Sequence, residues 1–214
     1  MTRTAVKICG LRSVDAVDAA IDAGADYVGL VFFPPSPRNL ALPEAEALAR
    51  HIGGRVKVVA LMVDPDDRLA EDVVRAIDPD LVQLHGSETP DRVAAIKAHL
   101  GVRAMKALKV ATAADVAEAR AYAGVADLLL FDARPPEGAV LPGGNGVPFD
   151  WHILEGIDDD IDYMLSGGLT PENVAEAIRL TGARAVDVSS GVESAPGVKD
   201  PDRIRAFVAS VRAA

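Results

Sequence analysis

One cysteine and one aspartate are the residues best placed in this sequence to move protons. Cys9 stands in Val6-Lys7-Ile8-Cys9-Gly10, after a short apolar run and before a glycine, and Asp132 closes the run Leu128-Leu129-Leu130-Phe131. A thiolate can take a proton from carbon, and a carboxyl kept neutral by apolar neighbours can give one, which is what general acid/base chemistry requires. Each also has a plainer reading. Free cysteines are among the most buried residue types and pack as small apolar side chains, and a strand-ending aspartate can simply brace the loop after it.

Two small-residue turns, Ser166-Gly167-Gly168 and Ser189-Ser190-Gly191-Val192-Glu193, offer backbone amides and hydroxyls that can hold a phosphate dianion without a lysine. Either alone reads equally well as an ordinary turn. Both together, after neighbouring strands, make Gly167, Gly168, Ser189, Ser190 and Gly191 candidate phosphate ligands. Arg38 follows the second strand on a loop stiffened by Pro34, Pro35 and Pro37, where its guanidinium could clamp a carboxylate; a solvated loop arginine is the commoner case. His85, in Gln83-Leu84-His85-Gly86, ends a strand and is a candidate ligand contact or a structural hydrogen-bonding residue. No second histidine or cysteine is spaced to make a metal site with it. Asp187, one residue before the end of the last strand, faces either the site or the helices.

Positioning these groups falls to a repeated strand–helix unit. The β-prone runs are Val6 to Cys9, Tyr27 to Val31, Lys57 to Met62, Leu81 to Leu84, Ala104 to Leu108, Leu128 to Asp132, Tyr163 to Ser166 and Ala185 to Val188. Alanine-rich amphipathic segments alternate with them: Ser13 to Ala23, Pro43 to His51, Asp67 to Ala76, Pro90 to Leu100, Thr112 to Tyr122, Pro171 to Leu180 and Asp202 to Val211. Ser13, Thr89-Pro90, Thr112 and Thr170-Pro171 supply helix-start chemistry. After the sixth strand, residues 133–149 hold four prolines and four glycines and cannot form a regular helix, so a lid loop is expected there, followed by a short helix near Trp151 to Leu154. Eight such units close most economically into a (β/α)8 barrel of one domain, residues 1–214, with an open doubly wound sheet as the alternative. In a barrel, active-site groups come from the C-terminal ends of strands, and that rule brings Cys9, Asp132 and both turns to one rim.

Composition narrows the partners. The 22 basic and 32 acidic residues give a net charge of -10, which disfavours nucleic acid and anionic membranes, so an anionic ligand needs a local site. The single cysteine cannot pair within the chain, the N-terminus lacks a secretory pattern, and no apolar run approaches the roughly 20 residues that span a bilayer. A cytoplasmic enzyme is expected, with monomer and homodimer both open.

The ordered set Lys7-Ile8-Cys9-Gly10, Gly24-Ala25-Asp26-Tyr27-Val28-Gly29, Ser36-Pro37-Arg38, Val82-Gln83-Leu84-His85-Gly86, Phe149-Asp150-Trp151, Leu165-Ser166-Gly167-Gly168-Leu169, Pro171-Glu172-Asn173-Val174 and Asp187 to Glu193 resembles the phosphoribosylanthranilate isomerase family of tryptophan biosynthesis. The resemblance runs from residue 6 to about residue 200. It implies an Amadori rearrangement of a phosphosugar with no metal or organic cofactor. Asp132 would be the acid that opens the furanose ring, Cys9 the base that removes the C2 proton, and Arg38 the partner of the anthranilate carboxylate. Gln83, His85 and Asp187 would line the substrate site, and the two turns would hold phosphate. Val147-Pro148 stand where the family commonly has a polar or basic residue before Phe-Asp-Trp, a departure that touches the lid. The histidine-pathway isomerase family shares the phosphate turns but carries an aspartate where this chain has Cys9. A silent phosphosugar-binding barrel is a further alternative; thiol redox chemistry is disfavoured because no second cysteine can resolve an oxidised intermediate.

Overall fold

The computed structural model describes residues 3–134, 138, 143, 149–154, 157 and 161–214. Eight parallel strands close into a barrel: β1 (Ala5–Cys9), β2 (Tyr27–Phe32), β3 (Lys57–Met62), β4 (Leu81–Leu84), β5 (Arg103–Val110), β6 (Leu128–Ala133), β7 (Tyr163–Leu165) and β8 (Ala185–Val188), with β8 pairing back to β1. Closure rules out the open-sheet alternative. Around it lie α1 (Val14–Ala23), α2 (Leu42–Ile52), α3 (Asp67–Ile77), α4 (Pro90–Leu100), α5 (Ala113–Ala117), α6 (Val174–Thr181) and α7 (Pro201–Arg212). A 3-10 turn at Trp151–Leu154 is the short helix expected after β6, and a 3-10 stretch at Glu118–Tyr122 continues α5. After β8 comes an antiparallel pair that sequence reading did not anticipate, β9 (Glu193–Ala195) and β10 (Val198–Lys199). Most of the expected lid lies outside the described residues. No described helix is long and apolar enough to cross a membrane.

The helix starts follow their side chains. Ser13 and Thr89 accept from the amides three residues on, each at 3.3 Å. Thr112 opens α5 differently, with the Asp115 carboxylate reaching back to the Thr112 amide at 2.8 Å. Thr170-Pro171 does not begin a regular helix as expected. The Asn173 side chain accepts from the Thr170 amide and donates to the Gly168 carbonyl, which holds 170–173 as a turn and delays α6 to Val174.

Strand alternation decides which side chains enter the barrel. Val59, Leu81, Met105, Ala107, Leu130, Met164 and Ala185 form one inward cluster, whereas Val6, Ile8, Leu129 and Phe131 pack outward against the helices. The same parity carries inward facing up β1 to Lys7 and Cys9, up β4 to Gln83 and His85, and up β6 to Asp132. Asp187 follows Ala185 by two and is inward as well, so the helix-facing option for it is excluded.

At the opposite end, aspartates before β2, β4 and β6 each clamp the preceding strand. Asp26 accepts from the Val6 amide at 2.9 Å, Asp80 from Val58 at 2.7 Å and Asp127 from Ala104 at 2.8 Å. Asp127 also receives Lys97 Nζ at 2.8 Å. An amide stripped of its acceptor costs about 1–3 kcal/mol. Asp127→Ala is therefore expected to lose about 1–2 kcal/mol and to lower Tm by about 2–8 °C in thermal circular dichroism, with turnover unchanged.

Candidate active site

The C-terminal ends of the strands surround a cleft, open to solvent, whose wall includes Cys9, Arg38, His85, Asp132, Gly168 and Ser190. Gln83, Gly167, Asp187, Ser189 and Gly191 line it too. Thus every residue expected at the site from the sequence reaches the same cleft. What the side chains do there differs from expectation in several places.

Cys9 is 4% exposed and sits beside a buried ion pair, Lys7 Nζ to Asp187 Oδ1 at 2.8 Å, on adjoining strands. Asp187 Oδ2 accepts from the Ser166 hydroxyl at 3.1 Å. Gly29 on β2 is what admits this cluster: a Cβ there would lie 2.8 Å from Cys9 Sγ and 3.2 Å from Lys7 Nζ. Burial would discharge the Lys7 ammonium, but Asp187 and Cys9 outweigh it and hold its pKa above the ordinary value. Burial pushes the Cys9 thiol up; Lys7 opposes this, while Asp187 adds to the rise, and the net direction is upward. With Lys7 already matched by Asp187, the free site favours the thiol. Iodoacetamide alkylation of Cys9 is accordingly expected to titrate above the ordinary thiol value of about 8.5. Asp187→Asn, which removes a negative charge and keeps Lys7, shifts that midpoint down. A wild-type midpoint at or below the ordinary value would mean that Lys7 prevails over burial.

Asp132, 5% exposed, is met by His85 Nε2 at 3.2 Å, and His85 Nδ1 is met by Gln83 Nε2 at 2.9 Å. Gln83 and His85, expected as substrate contacts, thus have their polar atoms turned to one another and to Asp132. The loop after β4 is fixed from outside the barrel. Lys106, facing outward on β5, donates to Glu88 at 2.7 Å and to the Gly86 carbonyl at 2.8 Å, while Glu88 accepts from the amides of Asp64 and Gly86.

Arg38 is 6% exposed, and its fork is already engaged by a carboxylate of the chain itself: Nε and Nη2 donate to Glu193 Oε1 and Oε2 at 2.7 and 2.9 Å. The expected partner was a ligand. Gly10, at φ +80, makes room for it, since a Cβ would come within 2.6 Å of Arg38 Cδ. Lys199 Nζ joins Glu193 Oε1 at 2.7 Å and also donates to the Ser189 carbonyl at 2.9 Å. Burial would push the Glu193 carboxyl up, yet hydrogen bonds from Arg38 and the charge of Lys199 outweigh it and hold it below the usual range. Arg38 and Lys199 thus share one carboxylate beside the Ser189-Ser190-Gly191 turn, with burial holding the Lys199 pKa below its ordinary value against the opposing charge of Glu193.

That turn lies against the Ser166-Gly167-Gly168 turn, with Gly191 packed on the Leu169 carbonyl where a Cβ would not fit. Gly167 and Gly168 both have positive φ, +87° and +65°. The Ser189 hydroxyl is committed within the protein, donating to the Cys9 carbonyl at 3.1 Å and accepting from Lys199 at 3.2 Å. Sequence reading missed the parts played by Lys199 and Glu193; the only available signal was their closeness to the second turn. Among the described residues no cluster of three or more His, Cys, Asp or Glu is arranged to hold a metal ion.

A closed barrel that gathers a thiol, a carboxyl and two Gly/Ser turns at the C-terminal rim of its strands has the arrangement of a (β/α)8-barrel enzyme. Residues 6–210 match the family model of N-(5'-phosphoribosyl)anthranilate isomerase, and the chain belongs to that family. It is 59% identical over 207 residues to the N-(5'-phosphoribosyl)anthranilate isomerase of Paramagnetospirillum magneticum, covering 97% of this chain and 96% of that one. The relative from Rhizobium meliloti is 53% identical over 212 residues, covering 99% of both. The crystal structure of the Thermotoga maritima enzyme superposes with a TM-score of 0.89 at 33% identity, covering both chains fully. A phosphoribosylanthranilate isomerase in complex with reduced 1-(o-carboxyphenylamino)-1-deoxyribulose 5-phosphate superposes with a TM-score of 0.86 at 32% identity, again over both chains fully.

Proposed function

We propose that this barrel, acting as one catalytic domain in the cytoplasm, converts N-(5'-phosphoribosyl)anthranilate to 1-(2-carboxyphenylamino)-1-deoxyribulose 5-phosphate, a step of tryptophan biosynthesis. The observation that carries the reading is the meeting of Cys9 and Asp132 with both Gly/Ser turns in one cleft. Asp132 protonates the furanose ring oxygen; the C1–O bond breaks and the anilino nitrogen's electron pair forms the C=N bond of an iminium. Cys9, as thiolate, removes the C2 proton, and the resulting enolamine tautomerises to the ketone. Because the free site favours the thiol, the cationic iminium is the group that stabilises the thiolate when it is needed. Amides of Gly167, Gly168, Ser189, Ser190 and Gly191 hold the phosphate, with the Ser190 hydroxyl in place of the committed one of Ser189. Arg38, set by Glu193, supplies positive charge for the anthranilate carboxylate.

The test is loss of the fluorescence of freshly generated phosphoribosylanthranilate on addition of the protein. Turnover is expected. Binding without consumption would favour a silent phosphosugar-binding barrel and overturn the reading.

A further inference from the structure

Three side chains of β4 and β6 form a buried line, Gln83 to His85 at 2.9 Å and His85 to Asp132 at 3.2 Å. Gln83 is fully buried and His85 is 7% exposed. Gly143 closes over the last link: a Cβ there would lie 2.5 Å from Asp132 Oδ2 and 2.6 Å from His85 Nε2. Which end of the Gln83 amide faces the ring decides where the histidine proton sits. With its nitrogen towards Nδ1, Gln83 donates, the ring proton is on Nε2, and that N–H stabilises a carboxylate at Asp132. This arrangement suits a spent acid, not one about to give a proton. Turned over, Oε1 accepts from Nδ1–H, and Nε2 faces Asp132 with a lone pair able to share its proton.

We propose that the second arrangement is the working one, so that the general acid of this site is the His85–Asp132 pair, oriented by Gln83, and not an isolated carboxyl. The proposal rests on the reading of Asp132 as the acid. In the loaded pair one proton lies on the Oδ2···Nε2 link, as carboxyl with imidazole or as carboxylate with imidazolium. Ring opening moves it to the furanose oxygen, leaving carboxylate and neutral imidazole, with Nδ1–H still on Gln83. On ketonisation the C2 hydroxyl returns a proton to the pair while the Cys9 thiol gives its proton to C1, and both groups end as they began. His85 and Gln83 are positioning residues here. The other charged groups about the pair are Cys9, Arg38, Arg134 and Asp187 on the cleft wall, with Lys109 opposite Asp132 in the β5–β6 register.

Nitrogen NMR of isotope-labelled histidine in the free wild-type enzyme tests this directly, with His85 assigned by comparison with His85→Gln. The expected spectrum shows a proton on Nδ1 of His85; a bare Nδ1 with the proton on Nε2 overturns the proposal. Kinetics give a second arm. Gln83→Glu, as a carboxylate, accepts from Nδ1–H and has no donor to place against Nδ1, so it keeps kcat within about tenfold of wild type, whereas Gln83→Leu lowers kcat by about 10- to 100-fold with KM nearly unchanged. Equal losses in both would sink the orientation argued here. Failure of the wild type to turn over phosphoribosylanthranilate would sink the functional reading instead, an outcome separate from the spectrum.

Discussion

Cys9→Ala and Asp132→Asn each lower kcat by about a thousandfold or more, while the melting transition stays cooperative and close to that of the wild type. The size follows from the roles, because a positioned acid or base supplies roughly 10²- to 10⁴-fold; no second thiol stands beside Cys9, and His85 acts on the acid proton only together with the Asp132 carboxyl. Asp132→Asn keeps the volume of the side chain and can still bond His85, so its loss isolates the proton. Cys9→Ala removes one sulfur from a site roomy enough to be part of an open cleft, and folding should tolerate it. Cys9→Ser is the sharper variant: the hydroxyl is smaller and polar, yet it is far too weak an acid to ionise beside a matched Lys7–Asp187 pair. Phosphoribosylanthranilate consumption, measured with melting curves for all three variants, decides the matter. Near-normal turnover in any one would remove that residue from its role.

The reason these two residues could be found from sequence is the period of two along each strand. Once Ala5, Leu128 and Ala185 are taken as barrel-facing, Lys7 and Cys9, Asp132, and Asp187 must be so too, and the strand end then sets them at the rim. Strand bounds were also legible, with β3, β4 and β8 placed to the residue, because glycines, prolines and charged residues flank short β-branched runs. What could not be read is pairing across distance. Arg38 and Glu193 are 155 positions apart, and nothing local to either marks the other as its partner. Lys199, in Gly197-Val198-Lys199-Asp200, has the look of a solvated turn lysine, yet its side chain is 1% exposed. Gln83 and His85 share this fate: their inward facing follows from parity, whereas the meeting of His85 with Asp132 depends on the spacing between β4 and β6.

Glu193→Gln is expected to cost about 3–5 kcal/mol of stability, because it leaves the buried cations Arg38 and Lys199 together without the carboxylate that neutralises one of them. The three side chains are 8%, 1% and 5% exposed for Arg38, Lys199 and Glu193, so solvent does little to screen the imbalance. The pH dependence has a definite sign. Arg38 and Lys199 hold the Glu193 carboxyl below its ordinary value, so its contribution is fully present above about pH 4.3 and is lost as pH falls through the lower folded value. Urea denaturation should therefore show the full deficit at pH 7 and a shrinking one below pH 4.3, where the wild-type carboxyl also protonates. Adding Lys199→Met to Glu193→Gln removes the surplus cation and should restore more than about 1 kcal/mol, a coupling of the kind seen between contacting residues. A deficit under about 1 kcal/mol, or one that grows towards acid, would show that this corner is held by packing and not by charge. Because Lys199 also braces Ser189, the double variant should recover stability without recovering substrate affinity, and a raised KM in a well-folded protein would separate the two services this ion cluster performs.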